Sequence, residues 1–195
     1  AYHSPGTCTF YGTANTNQML MELMGLHIPG ASFVPPNCEL RDQLTKEAVK
    51  QVLEWSKQHN FERSLANLVD ERSIVNALVG LMATGGSTNL VIHLIAIADA
   101  AGIKLTLDDI SDISAITPLL VKLYPNGSAD INKFHSLGGT AYLISELLDN
   151  GYLHADIPTI HPDGMSAYRM TPCLDEDGCL TYQELELDYD NSIIR

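Results

Sequence analysis

The residue best placed to do chemistry is Cys8, in the run His3-Ser4-Pro5-Gly6-Thr7-Cys8. Ser4-Pro5-Gly6 is strong turn chemistry, and from Ala14 onward Met19, Leu20, Leu23 and Met24 recur at helical spacing until Gly25 stops the pattern. Thr13 or Asn15 can cap that helix. Cys8 is therefore expected a few residues ahead of a helix N-terminus, where free N–H groups and the positive end of the dipole favour a thiolate. Such a thiolate suits a metal ligand or a nucleophile; the alternative is a small buried hydrophobe, the commonest role of a lone Cys.

A second pattern is the loop Thr84-Gly85-Gly86-Ser87-Thr88-Asn89, which opens an apolar helix. Loops of this kind present N–H groups to anions, so Gly86, Ser87 and Thr88 are candidates for holding a carboxylate or phosphate. Equally, Gly-Gly lets two buried helices meet at a tight angle while Ser87 and Thr88 cap. His93 and His135 read either as hydrogen-bonded rim residues or as ligands. Cys38, after Pro35-Pro36-Asn37, has no partner at metal spacing and reads as structural. Cys173 and Cys179 flank a hairpin expected to turn at Asp177-Gly178. Counted from Cys173, the same segment places Asp175, Asp177, Gly178, Leu180 and Glu184 as in a calcium loop whose first ligand is replaced by Cys. Pro172 and the missing first carboxylate weigh against that reading.

The elements that must position these residues follow from periodicity. Leu44 to His59 is an amphipathic helix, with Leu44, Ala48, Val52 and Trp55 on one side. Ser73 to Met82 and Ser87 to Ala101 are long apolar helices, Leu107 to Ile113 and Ala129 to Leu137 short ones, and Thr140 to Asn150 another long one closed by Gly151. Lys104 to Thr106 and Ile116 to Leu123 are candidate strands, the second buried. The expected fold is α/β: a helix-rich N-terminal-type domain with a small, mostly parallel sheet over residues 1–151. Residues 152–195, punctuated by Pro and Gly, approach a second, β-rich domain.

With 195 residues and a net charge of −13, the chain can bury a substantial core but repels phosphate backbones, so nucleic acid is excluded as a partner. Four irregularly spaced Cys make neither a zinc knuckle nor a disulfide framework, which points to a reducing cytoplasm. The apolar stretch from Ile74 to Ala101 is broken by the Gly-Gly loop and reads as two buried helices rather than a membrane span. The start at Ala1, without an initiator Met or a signal peptide, predicts an excised piece of a longer protein.

The run Pro5-Gly-Thr-Cys-Thr-Phe-Tyr-Gly-Thr-Ala-Asn-Thr-Asn-Gln-Met19 resembles the segment carrying a cluster-ligating cysteine in the dehydratase family that contains dihydroxy-acid and 6-phosphogluconate dehydratases. Phe10-Tyr11-Gly12 is similar to its phosphogluconate branch. Two further stretches, Ala83-Thr-Gly-Gly-Ser-Thr-Asn89 and Leu123-Tyr-Pro-Asn-Gly-Ser-Ala-Asp-Ile-Asn132, carry the likeness across most of residues 1–151. The resemblance implies a hydro-lyase acting on a small phosphorylated sugar acid, 6-phosphogluconate, with a [4Fe-4S] cluster (alternatively [2Fe-2S]) for which Cys8 is one ligand. It also implies Mg2+ or Mn2+, a catalytic base and two further cysteines in segments absent from this sequence, a homodimer, and inactivity of this piece alone. The alternatives are a dihydroxy-acid or other sugar-acid dehydratase of the same family, or a non-enzymatic module that binds calcium or dimerises through the helices between Ser73 and Ala101.

Overall fold

The computed structural model of the chain describes residues 8–58 and 61–185. Its helices are α1 (Thr13–Leu23), α2 (Glu39–Lys57), α3 (Leu65–Leu68), α4 (Glu71–Thr84), α5 (Asn89–Ala100), α6 (Leu107–Ile116), α7 (Ile131–Ser136) and α8 (Gly139–Asp149). Two strands follow, β1 (Met170–Leu174) and β2 (Leu180–Glu184). The expected Ser4-Pro5-Gly6 turn lies outside the described residues, as does the end of the 152–195 segment.

Helix α1 is central. Met19, Leu20, Leu23 and Met24 are fully buried, and α1 packs on α4, α5 and α8. Helix α4 meets α1 closely at Gly80, where a Cβ would sit 2.2 Å from Leu23 Cδ1 and would force that buried side chain to move. Helix α4 opens on a reciprocal cap between Asp70 and Ser73 and closes on Gly85, whose φ of 56° lets its N–H and that of Gly86 reach back to Met82 O and Leu81 O. Leu153, Ile157, Met165 and Tyr168 pack into the same core. Helix α2 covers a satellite cluster of Ile28, Ala31, Val34 and Leu44; Val52, expected on its apolar side, is 60% exposed.

The sheet is helix-flanked and small, as expected, but it is antiparallel rather than mostly parallel: β1 and β2 form one hairpin, Met170 opposite Glu184 and Leu174 opposite Leu180. Neither candidate strand upstream joins a ladder. The N–H groups of Leu120 and Val121 are both taken by Ala83 O at the end of α4, and Leu123 makes a single bridge with Ala129; only Val121 and Leu123 of the expected buried strand are buried, while Ile116 and Leu119 are exposed. Thr106 is likewise drawn into a reciprocal cap with Asp109 at the start of α6. Among the described residues, no helix is long and apolar enough to cross a membrane.

Candidate functional site

Three segments that are distant in sequence meet at the N-terminus of α1. Neither Thr13 nor Asn15 caps that helix. Gly12 is the N-cap and its carbonyl accepts from both Thr16 N and Thr16 Oγ1. Asn15, buried, turns back instead: its Nδ2 donates to Cys8 O at 2.9 Å and Phe10 O at 2.7 Å. The loop is thereby held by its backbone, and Cys8 itself is exposed, its thiol making only a long 3.7 Å contact to Phe10 O. The reading of Cys8 as a buried hydrophobe fails on this geometry.

The Gly-Gly loop docks on the same helix end. Thr13 Oγ1 lies 3.0 Å from Ser87 Oγ and accepts from Asn89 Nδ2 at 2.8 Å, while Ser87 N donates to Thr16 Oγ1. Gly86, Ser87 and Thr88 thus sit beside the Cys8 loop, with the N–H groups of Gly86 and Ser87 directed to Leu81 O and Thr16 Oγ1. Beneath them Tyr11 is buried, its hydroxyl 2.8 Å from Thr84 Oγ1. Thr84 Oγ1 also reaches Gly80 O, the phenol also reaches Met19 Sδ, and burial pushes the Tyr11 pKa further above the ordinary value of 10.0. Tyr11→Phe removes this link between the two motifs and is expected to lower stability by about 1 kcal/mol, read from the urea unfolding midpoint.

The third motif closes the other side. Phe10 stacks edge-on against Tyr124 at 5.4 Å, Ile131 N donates to Thr9 O, and Asn126 Nδ2 donates to Gly85 O.

A cleft of about 230 Å³ opens beside Cys8, lined also by Asn15, Gln18, Ser32, Pro36 and Arg41. Its far wall is the segment from Ser32 to Pro36, and a carboxylate that the apolar pattern of α1 conceals holds the start of that wall. Glu22 is wholly buried; its two oxygens accept from Gly30 N at 3.1 Å and Ser32 N at 2.7 Å, with His27 Nδ1 at 4.0 Å. Burial raises the Glu22 pKa, opposed by His27 and by these hydrogen bonds. The sequence signal was a Glu on the same helical face as Met19 and Leu23. From α2, Arg41 braces the same wall, donating from Nη2 to Ala31 O at 2.6 Å and from Nε to Val34 O at 3.2 Å. Burial lowers the Arg41 pKa.

The other candidates lie elsewhere. Cys38 is the N-cap of α2 with its thiol on Pro35 O, which bears out its structural reading. Cys173 pairs in register with Thr181, so it does not face Cys179, and all four cysteines are free thiols. Strands flank the Asp175 to Gly178 turn where a calcium loop has helices, and Asp175 Oδ1 is engaged by Asp177 N and Cys179 N. His93 lies on the exposed face of α5. Among the described residues no group of three or more His, Cys, Asp or Glu is placed to hold a metal ion.

Residues 1–168 match the family described as dihydroxy-acid/6-phosphogluconate dehydratase N-terminal. The whole chain is 53% identical to a phosphogluconate dehydratase of Pseudomonas aeruginosa and 49% identical to one of Escherichia coli, covering 32% of each. Over 82% of the chain it is 37% identical to a dihydroxy-acid dehydratase of Thermus thermophilus, covering 28% of it. The chain spans about a third of the length of the phosphogluconate dehydratases it matches.

Proposed function

The chain belongs to the dihydroxy-acid/6-phosphogluconate dehydratase family, and on that premise we propose that it forms part of a hydro-lyase converting 6-phosphogluconate to 2-keto-3-deoxy-6-phosphogluconate. In that reaction the C2 proton and the C3 hydroxide leave together as water, and the resulting enol becomes the 2-ketone. The observation that carries the reading is the convergence of three separated motifs on one exposed thiol, Cys8, at the edge of a polar cleft.

Cys8 is the thiolate this region contributes to an iron–sulfur cluster, a role its exposure and uncrowded sulfur fit. When bound, the cluster supplies Lewis acidity to the departing 3-hydroxyl, since hydroxide alone is a poor leaving group. The remaining ligands belong to the larger protein. Asn15 fixes the loop carbonyls on either side of the thiol, so Cys8 is presented without using its sulfur as an anchor. Tyr11 and Thr84 lock the loop to α4, and the segment braced by Glu22 walls the cleft in which the sugar acid lies.

The substrate preference is favoured by 53% and 49% identity to phosphogluconate dehydratases against 37% to a dihydroxy-acid dehydratase. Its test is a paired assay on the full-length enzyme, purified without oxygen. Turnover of 6-phosphogluconate in large excess over 2,3-dihydroxyisovalerate is the expected result; comparable turnover of the two would overturn the assignment.

A further inference from the structure

Among the described residues, the cleft beside Cys8 is lined by one cation and no acid. Of the described side chains lining it, only Arg41 carries a charge that is fixed at neutral pH, in a chain whose net charge is −13. The guanidinium is oriented by two backbone acceptors, Ala31 O through Nη2 and, in the cleft wall, Val34 O through Nε; Arg41 also borders the neighbouring apolar pocket. Nη1 takes no part in those bonds. Among the described residues no carboxylate lies within ion-pair distance of Arg41, whereas Arg72 and Arg169 each have an acidic partner at 2.8 Å or less. Burial disfavours the cation while the nearby Cys38 and Glu22 favour it, and an anion against Nη1 adds to that compensation.

We propose that Arg41 is the anchor for an anionic oxyacid group of the substrate, its carboxylate or its phosphate, in the cleft beside Cys8. The inference rests on the dehydratase reading above and adds a binding residue to it. Asn15, Gln18 and Ser32 line the same cleft with polar groups that can complete the shell around the anion's oxygens. Because Arg41 holds its plane through the wall, the anion meets a preoriented donor edge, and the reacting carbons are set at a fixed distance from the Cys8 loop.

The test uses the full-length holoenzyme, wild type, Arg41→Gln and Arg41→Lys, with iron and sulfide content measured on each. Two probes are titrated as competitive inhibitors of 6-phosphogluconate dehydration: inorganic phosphate, which imitates one end of the substrate, and gluconate, which retains only the carboxylate end. The expected result is a KM for 6-phosphogluconate raised about ten- to a hundredfold in Arg41→Gln, with Arg41→Lys between it and wild type and cluster content unchanged. Weakened inhibition by phosphate assigns the anion as the phosphate; weakened inhibition by gluconate assigns it as the carboxylate. Unchanged KM and inhibition constants, or a fall in kcat and cluster content with KM intact, overturn the proposal and leave Arg41 as a brace of the wall alone. Failure of the underlying dehydratase reading is separately visible, since the wild-type enzyme would then not turn over 6-phosphogluconate.

Discussion

Cys8→Ser in the full-length protein is expected to lower 6-phosphogluconate dehydration by at least about a hundredfold and to strip iron and sulfide from the purified enzyme. Changing groups that merely orient a metal ligand costs about 10–100-fold, so loss of a ligand itself should exceed that range. The substitution is close to isosteric, and its site is exposed with no close contact to the sulfur, so it leaves packing intact. The folded state should therefore be nearly as stable as wild type, with surface changes of this kind within about 0.5 kcal/mol. Loss of cluster and activity without loss of fold would identify Cys8 as a ligand. Retention of both cluster and activity would return it to the status of an unused thiol and would remove the centre of the site. The same loop makes a milder comparison: Tyr11→Phe perturbs its support and not its sulfur.

What could be read in the residues was whatever local physics controls. Helix α1 through its apolar spacing, α4 and α5 through their length, and the hairpin at Asp177-Gly178 through its turn chemistry all lie where their patterns place them. Cys8 and the Gly-Gly loop were legible as separate features. Their meeting was not, because it depends on hydrogen bonds between residues over seventy positions apart, such as Thr13 with Ser87 and Tyr11 with Thr84. The parallel sheet was misread for a related reason. A short apolar run such as Ile116 to Leu123 has the composition of a buried strand, but two of its N–H groups share one carbonyl near the end of α4, Ala83 O, and composition does not reveal which acceptor an N–H will find. The position of Asn15 also matters. In the pattern it reads as a cap, yet Gly12 takes the cap and releases the Asn15 amide to close the Cys8 loop.

Glu22 is where a mutation of one buried acid should reshape the cleft. Glu22→Ala leaves the N–H groups of Gly30 and Ser32 without their acceptor in a wall that is largely buried, and the expected cost is about 3 kcal/mol, from two orphaned donors at about 1–3 kcal/mol each. Glu22→Gln keeps the volume but offers one acceptor oxygen where the carboxylate offers two, so its loss should be smaller. Wild type and the glutamine variant also separate on pH. Burial raises the folded-state pKa of Glu22 above its ordinary value of 4.5, so the folded chain binds this proton more tightly than the unfolded one. Stability from this group is therefore fully present below the ordinary value and is lost as pH rises through the raised folded pKa. Urea unfolding of wild type and Glu22→Gln across that range should give a difference in stability that shifts in favour of the glutamine variant as pH rises, because charge effects elsewhere cancel between them. A difference independent of pH would mean that the carboxylate is as easily ionised inside as outside. If instead the predicted shift is seen, the wall facing Cys8 is held by a carboxyl whose burial opposes its charge while the N–H groups of Gly30 and Ser32 favour it.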